Sequence, residues 1–301
     1  MHKPSHSNVC PQCGGKAEPA FDAHDVNRRI SDATFPYLRC GDCGVVYLSE
    51  VPTNLGDFYP VDYYTIPRSK EELAAWSNWE RYKIDIVCKF RSSGHLTEIG
   101  PASGAFAYLA KTAGFSVTAI EMDPRCCASL RDTLGIDVVE SADEAQALAQ
   151  TEPSDVITLW HVIEHLVDPW SMLEVAAAKL RPGGILVIAA PNPRAFQFGV
   201  LGRRWAHVDA PRHLWLIPPE VIVERGAKLG LSEEMRTTRD TGSLFWNRFG
   251  WEYSLAGCFT SKWARKFAGA SGRATAALLA PFESLEGKGA AYTVVLRRPG
   301  A

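Results

Sequence analysis

One short apolar run ends in Glu-Ile-Gly-Pro-Ala-Ser-Gly (residues 98–104), and a second ends in Ala-Ile-Glu-Met-Asp (residues 119–123). Gly100 and Gly104 allow the backbone to turn sharply and approach a ligand. The helix that follows offers amide donors and a partial positive charge. Glu121, twenty-one residues past Gly100, is placed to accept hydrogen bonds from both hydroxyls of a ribose. A glycine pair alone says little. Joined to a strand, a helix and an acid at the next strand's end, it calls for an adenosine-containing ligand. The loop lacks the compact Gly-x-Gly-x-x-Gly that grips a pyrophosphate, which argues against a dinucleotide.

From residue 96 onward, short apolar runs alternate with helical segments, a pattern that predicts a mostly parallel sheet flanked by helices. Strands are expected near 96–99, 117–121, 138–139, 156–159, 185–190 and 291–296. Helices are expected near 105–113, 124–134, 142–149, 170–180 and 219–229. Arg-Pro-Gly-Gly (181–184) marks a helix stop. Ahead of this region, a single helix is expected over 70–91, with Leu73, Trp76, Trp79, Ile84, Val87 and Phe90 on its apolar face.

Eight cysteines are present, four of them in two Cys-x-x-Cys units: Cys10 with Cys13, and Cys40 with Cys43. Gly14 and Gly44 follow the second cysteine of each unit and let the backbone fold back toward the sulfurs. Two such turns brought together make a tetrahedral four-thiolate site suited to structural zinc. Residues 22–34 read as a polar excursion between the strands of this module, and His24 as a surface histidine. A thioredoxin-like dithiol would need a Cys-x-x-Cys at the start of a helix in a βαβ unit, and neither pair sits there. The division expected is a zinc module at 1–56, a connecting segment and entry helix at 57–92, and a Rossmann-like domain at 93–301 with insertions near 192–217 and 240–289. Tyr59, Tyr63 and Tyr64 read equally as packing between module and core or as a lid over a ligand.

The segments EIGPASG, TAIEMDP, DVITLWHVIEHLVDP, LRPGGILVIAAPNP and PRHLWLIPPE together resemble the S-adenosylmethionine-dependent methyltransferases of class I, which fold as a seven-stranded Rossmann-like sheet. The resemblance implies that Glu98 and the turn from Gly100 through Ala102 to Gly104 face the methionyl part of S-adenosylmethionine. It places Glu121 at the ribose, Met122, Ser141 and Ala142 beside the adenine, and Trp160 and His161 along the pocket. Ala102 stands where the family has its middle glycine, and alanine is small enough to preserve binding.

His-Val-Ile-Glu-His (161–165) also satisfies an inverted zinc-peptidase pattern. That chemistry needs both histidines on one long helix, whereas Asp168 and Pro169 interrupt the segment within a turn. In the methyltransferase reading it follows the fourth strand at the ligand edge of the sheet. Methyl transfer from a sulfonium is an in-line displacement, so alignment and a dry pocket matter most, and a hydroxyl acceptor gains from a base. His165 and His213 are the candidate catalytic residues, with Glu164 and Asp209 as orienting partners. Structural hydrogen bonding is the alternative for each. Some relatives hold a divalent ion with Glu-x-x-Glu-His; His161 replaces the first glutamate here, so that metal is not expected.

The formal charge of −2 supplies no general attraction for nucleic acid. No apolar leader is visible at the N-terminus, and the apolar run at 274–282 is too short to span a bilayer, so a cytoplasmic protein is expected. Trp205, His207, Arg212, His213 and Trp215 could frame a sugar or an aromatic ring, or form a packed lid. The interleaved FTSKWARKFAG (259–269) could rest on a membrane surface or bury a partner helix, with core packing as the plainer reading. The function expected is methylation, at oxygen, of a small-molecule or glycan-linked acceptor. The alternatives are an RNA methyltransferase that uses the zinc module to bind substrate, and a non-catalytic zinc-ribbon binding protein.

Overall fold

The computed structural model describes residues 8–300; the expectations that fall on residues 1–7 and on 301 lie outside the described residues. The chain opens with β1 (Ala17–Ala23), β2 (Phe35–Cys40) and β3 (Val46–Leu48). Antiparallel pairing joins them in that order.

The single helix expected over 70–91 is instead two. α1 (Lys70–Ser77) and α2 (Arg81–Cys88) are separated by a 3₁₀ turn at Asn78–Glu80. The buried Ser77 turns its hydroxyl back onto the carbonyl of Ala74 at 2.8 Å, a bond that competes with the helical ladder and often bends it. Trp79, read as part of the apolar face, is 83% exposed on the turn.

The main domain then runs β4 (His95–Ile99), α3 (Ala105–Thr112), β5 (Ser116–Glu121), α4 (Pro124–Ser129), β6 (Asp137–Glu140), α5 (Glu144–Gln150), β7 (Ser154–Trp160), α6 (Pro169–Lys179) and β8 (Leu180–Pro191). It continues through α7 (Phe196–Leu201), β9 (Trp215–Leu216), α8 (Pro219–Lys228), β10 (Ser232–Thr237), α9 (Thr241–Gly257), α10 (Lys262–Glu283) and β11 (Ala291–Arg297). The large sheet has the order β10-β11-β8-β7-β4-β5-β6. The five strands β8-β7-β4-β5-β6 are parallel, and β11 pairs antiparallel with β8 and with β10. This is the seven-stranded, mostly parallel Rossmann-like sheet. Its edge strand β10 carries no periodic apolar signal, because most of Ser-Glu-Glu-Met-Arg-Thr faces solvent.

Side-chain alternation divides the core between the two faces of the sheet. Along β8, Ile185, Val187 and Ala189 pack under α1, α2 and α3, while Leu186, Ile188 and Ala190 pack under α5, α6 and α8. After β6 the chain crosses from one side of β4 to the other and enters β7. That reversal opens a crevice at the carboxyl ends of β4, β5 and β7, where ligands of open α/β sheets bind.

The short strand β9 lies within the first insertion, yet it pairs with β3 rather than with the large sheet. The N-terminal sheet is therefore β1-β2-β3-β9, and its buried residues share one core with one face of the main domain. Among the described residues, no helix is long and apolar enough to cross a membrane.

Candidate active site

The four cysteine sulfurs lie within 4.8 Å of one another. Cys10 and Cys43 are 3.7 Å apart at Sγ, and Cys13 and Cys40 are 3.4 Å apart. A tetrahedron with zinc–sulfur bonds of about 2.3 Å has edges of about 3.8 Å, so these separations suit zinc. Both turns have the same geometry. Gly14 and Gly44 have φ of +75° and +76°, and their amides donate to the carbonyls of Cys10 and Cys40. His24 stands apart from the cluster, with Nδ1 3.2 Å from the carbonyl of Ala33.

A cavity of about 810 Å³ occupies the crevice at the ends of the central strands. One end is formed by Gly100, Ala102, Glu121, Met122, Ala142 and Glu144. Glu121 is buried, and its carboxylate accepts the amides of Ala102 (3.0 Å), Met122 (2.8 Å) and Asp123 (2.9 Å). Burial raises its pKa while those amides pull it down. Ala102 has φ +49°, a region that suits glycine and strains alanine. Gly100, with φ +64°, has no room for a side chain, since a Cβ would come 2.8 Å from Val162.

Three of the sequence-expected positions sit behind the wall. Glu98, Gly104 and Ser141 do not line the cavity. Glu98 is buried with Oε2 unpartnered, and burial pushes its pKa up to about 8. Gly104 caps α3 in a left-handed conformation. Ser141 donates its amide to the carbonyl of Glu121, which fixes the strand tip.

The other end of the cavity is polar and aromatic. Trp160 and His161 form its floor together with Glu164, His165 and His213. His165 Nδ1 is 3.0 Å from the carbonyl of Arg212 and 3.1 Å from the hydroxyl of Tyr59. His213 Nδ1 is 2.8 Å from the carbonyl of His207. A carbonyl oxygen only accepts, so each ring carries its proton on Nδ1 and keeps Nε2 as the basic nitrogen. Burial, with His213 alongside, lowers His165 to about 4. Both oxygens of the buried Glu164 lack a hydrogen-bond partner, and His161 Nδ1 lies 3.5 Å away. Burial opposes its ionisation, but the contact with His161 and the nearby rings outweigh that and hold its pKa below the ordinary value. Glu164, His165 and His213 each offer a ligand atom within 4.8 Å of the others. They could hold a divalent cation without the glutamate that His161 replaces.

The zinc module reaches this end. Asp25, in the loop after β1, bonds Arg212 at 2.7 Å, and Arg212 in turn bonds Asp209 at 2.7 Å. Asn27 donates to Asp209 at 2.5 Å. Burial would raise the Asp209 carboxyl, yet the Arg212 bonds hold it down at about 2. Tyr37 of β2 donates its hydroxyl to the carbonyl of His213 at 2.7 Å. Asn27 and Arg28 line the cavity, as do Trp246, Phe249 and Tyr253 of α9. The sequence reading passed over both groups. The α9 residues fall at i, i+3 and i+7, a helical signal that could have found them. Nothing in the polar loop around Asn27 pointed to the pocket. Tyr59, Tyr63 and Tyr64 also line it. Trp205 and Trp215 are fully buried in the packing beneath.

Residues 75–232, just over half of the chain, match the family described as the methyltransferase domain. The ubiquinone biosynthesis O-methyltransferase of Cereibacter sphaeroides is 30% identical over 129 residues, which cover 41% of this chain and 50% of that protein. Its counterpart in Pseudomonas fluorescens is 26% identical over 188 residues, covering 60% and 78%. The chain thus spans about half the length of the first of these relatives. A solved structure described as a SAM dependent methyltransferase from Archaeoglobus fulgidus shares the fold, with a TM-score of 0.50 at 17% identity over 73% of this chain and 93% of that one. With its strand ends, glycine turn and acidic tip arranged around one crevice, the chain belongs to the methyltransferase-domain family of class I S-adenosylmethionine-dependent proteins.

Proposed function

We propose that the protein transfers a methyl group from S-adenosylmethionine to an oxygen of a small-molecule acceptor, free or glycan-linked. The observation that carries this reading is the two-ended cavity. A glycine-lined turn and acidic strand tip at one end face a cluster of partly buried histidines and aromatic rings at the other. S-adenosylmethionine, when bound, supplies an electrophilic methyl on a sulfonium. Gly100, Ala102, Glu121, Met122 and Ala142 would hold it, with Trp160 and His161 at the border between the two ends. Glu98, Gly104 and Ser141 would act from behind by fixing the strand ends. The unpaired lone pairs of Glu121 suit the ribose hydroxyls.

At the acceptor end, His213 is the better base. Its Nε2 lies 3.9 Å from the Asp209 carboxylate, which would stabilise the imidazolium formed when a hydroxyl loses its proton. His165 stays neutral and serves as a hydrogen-bond acceptor that orients the hydroxyl. Tyr59, Tyr63 and Tyr64 would close the cavity against water. The division into 1–56, 57–92 and 93–301 belongs to this reading, with the first segment walling the acceptor end rather than acting alone.

The named activity of the Cereibacter sphaeroides and Pseudomonas fluorescens relatives, O-methylation, supports oxygen as the atom methylated. A screen with S-adenosylmethionine labelled in its methyl group tests the reading. Phenols, sugar nucleotides, lipid-linked glycans and RNA would be offered in parallel. Label in an ether of one of the small acceptors is the expected result. Label in RNA alone, or no transfer alongside absent S-adenosylmethionine binding, would overturn it.

A further inference from the structure

Helix α10 has its side chains in an unusual arrangement. The face it turns to α9 is made mostly of small residues, Gly269, Gly272 and Ala276, all buried, and ends in the buried Glu283, which accepts the indole N–H of Trp251 at 2.9 Å. A Cβ on Gly272 would come 2.6 Å from the backbone of Glu252 and Trp251, so this face is closed to anything larger. The large apolar side chains point the other way. Trp263, Phe267 and Leu278 are 70%, 71% and 80% exposed, and Ala270, Ala274 and Pro281 between and beyond them are exposed too. At 100° per residue these six positions form one stripe, with about 22 Å between Trp263 and Leu278. Phe259, in the turn before the helix, and Phe282 near its end add to the same apolar surface. Core packing therefore does not explain Phe259, Trp263 and Phe267.

Charge identifies what covers the stripe. Residues 258–282 contain Lys262, Arg265, Lys266 and Arg273 and neither aspartate nor glutamate. Lys262 and Lys266 lie to one side of the stripe and make no ion pair among the described residues, and Lys266 Nζ sits 5.7 Å from the Trp263 ring. Residues 258–282 offer Lys262 and Lys266 no acidic partner, so burying this face against a second copy would desolvate both lysines without compensation. An exposed tryptophan and phenylalanine beside unpaired lysines is the pattern of a helix lying in the plane of an anionic bilayer surface.

We propose that α10 docks the protein on membranes rich in anionic phospholipid, with Trp263, Phe267 and Leu278 entering the interface and Lys262 and Lys266 meeting the headgroups. The geometry has a consequence for the site. Trp246, Phe249 and Tyr253, which line the cavity, lie on α9, the helix packed against α10. Docking would bring the acceptor end of the cavity close to the bilayer. This inference concerns a surface outside the cavity and does not depend on methyl transfer.

The test is co-sedimentation of the full chain with phosphatidylcholine vesicles and with vesicles of phosphatidylcholine and phosphatidylglycerol. The expected result is binding to the anionic vesicles that weakens as salt rises, and roughly tenfold or more weaker binding to phosphatidylcholine alone. The doubly substituted Trp263→Ser/Phe267→Ser and Lys262→Glu/Lys266→Glu proteins should each lose roughly tenfold in vesicle binding. Both should keep the thermal melting and S-adenosylmethionine affinity of the parent. Equal binding to both vesicle types, or unchanged binding by the Trp263→Ser/Phe267→Ser protein, would overturn the proposal. So would a wild-type dimer in sedimentation velocity that dissociates on that substitution without any vesicle binding. A chain that binds S-adenosylmethionine but ignores vesicles would overturn this inference alone and leave the methyltransferase reading standing.

Discussion

Glu121 at the tip of β5 accepts the backbone amide of Ala102 in the turn after β4, at 3.0 Å. One carboxylate thus fixes the shape of the neighbouring loop while its remaining lone pairs face the cavity. Glu121→Ala removes both functions. We expect S-adenosylmethionine affinity to fall by roughly 1–3 kcal/mol, the usual loss for hydrogen bonds to a charged group. Glu121→Gln, which keeps one acceptor oxygen, should lose less. Calorimetric titration of the two variants reads this directly, and an unchanged affinity in Glu121→Ala would remove the ribose role.

Ala102 sits at φ +49°, where an L-residue with a Cβ pays about 1–2 kcal/mol. Glycine takes that conformation without strain but has more freedom to lose from the unfolded chain. The first effect is the larger. Ala102→Gly should therefore stabilise the protein by about 0.5–1 kcal/mol and leave cofactor affinity unchanged or slightly improved. A lowered melting temperature would show that the turn is not strained. His161 and Asp209 also have positive φ and also line the cavity, so backbone strain gathers at this site, as it does at many functional ones.

The zinc module should fail in a way that reaches the acceptor end. Its loop supplies Asp25 to Arg212 and Asn27 to Asp209, and Tyr37 holds the carbonyl of His213. Breaking the cluster with Cys40→Ser would release those partners and leave Arg212, which is 1% exposed at its side chain, short of one carboxylate. Losing one partner of a buried pair costs about 3–5 kcal/mol. We expect loss of bound zinc by elemental analysis, a clear drop in melting temperature and loss of methyl transfer. S-adenosylmethionine binding should survive, since the turn around Gly100 touches none of these residues. Full activity without metal would show that zinc does not hold this wall in place.

His213→Asn tests the base. Asparagine can still donate to the carbonyl of His207 but cannot take a proton. If His213 removes the acceptor proton, the turnover number should fall by about 10²–10⁴ with cofactor affinity unchanged. A purely structural histidine would instead lower the melting temperature and leave turnover within a few-fold of the parent.

The parallel core was legible because short apolar runs alternate with helical segments, and β8 carries the unbroken run Ile185–Ala190 directly after the Arg-Pro-Gly-Gly stop. The Gly100 turn and the Glu121 tip were legible because their chemistry is local in sequence. Less could be read where contacts join distant segments. Pairing of Trp215 and Leu216 with Val46 and Tyr47 is a two-residue match with no pattern to find. Asn27 reaches the site because Ala206, Asp209 and Arg212, in the stretch before β9, hold its loop there. The break at Asn78 coincides with one serine hydroxyl turned back onto the helix, and the edge strand β10 buries too little to show a period.

Glu98 allows a pH test that separates burial from ligand binding. Its carboxyl is pushed up to about 8, first by burial and then by Glu80 and Glu121 nearby, against the pull of Lys83 and the amide of Ala107. A carboxyl whose folded pKa lies above its unfolded value of about 4.3 holds its proton in the native state while the unfolded chain has lost it. Stability therefore falls as pH rises from about 4.3 toward 8, and the loss is complete above that. Glu98→Gln keeps the shape and has no proton to lose. The variant and the parent should melt at similar temperatures near pH 4. The variant should then gain steadily, on the order of a few kcal/mol at most by pH 8 to 9. Melting curves without ligand across that range decide the matter. A constant difference between the two proteins would mean that Glu98 is ionised in the fold and that an unseen partner satisfies its Oε2.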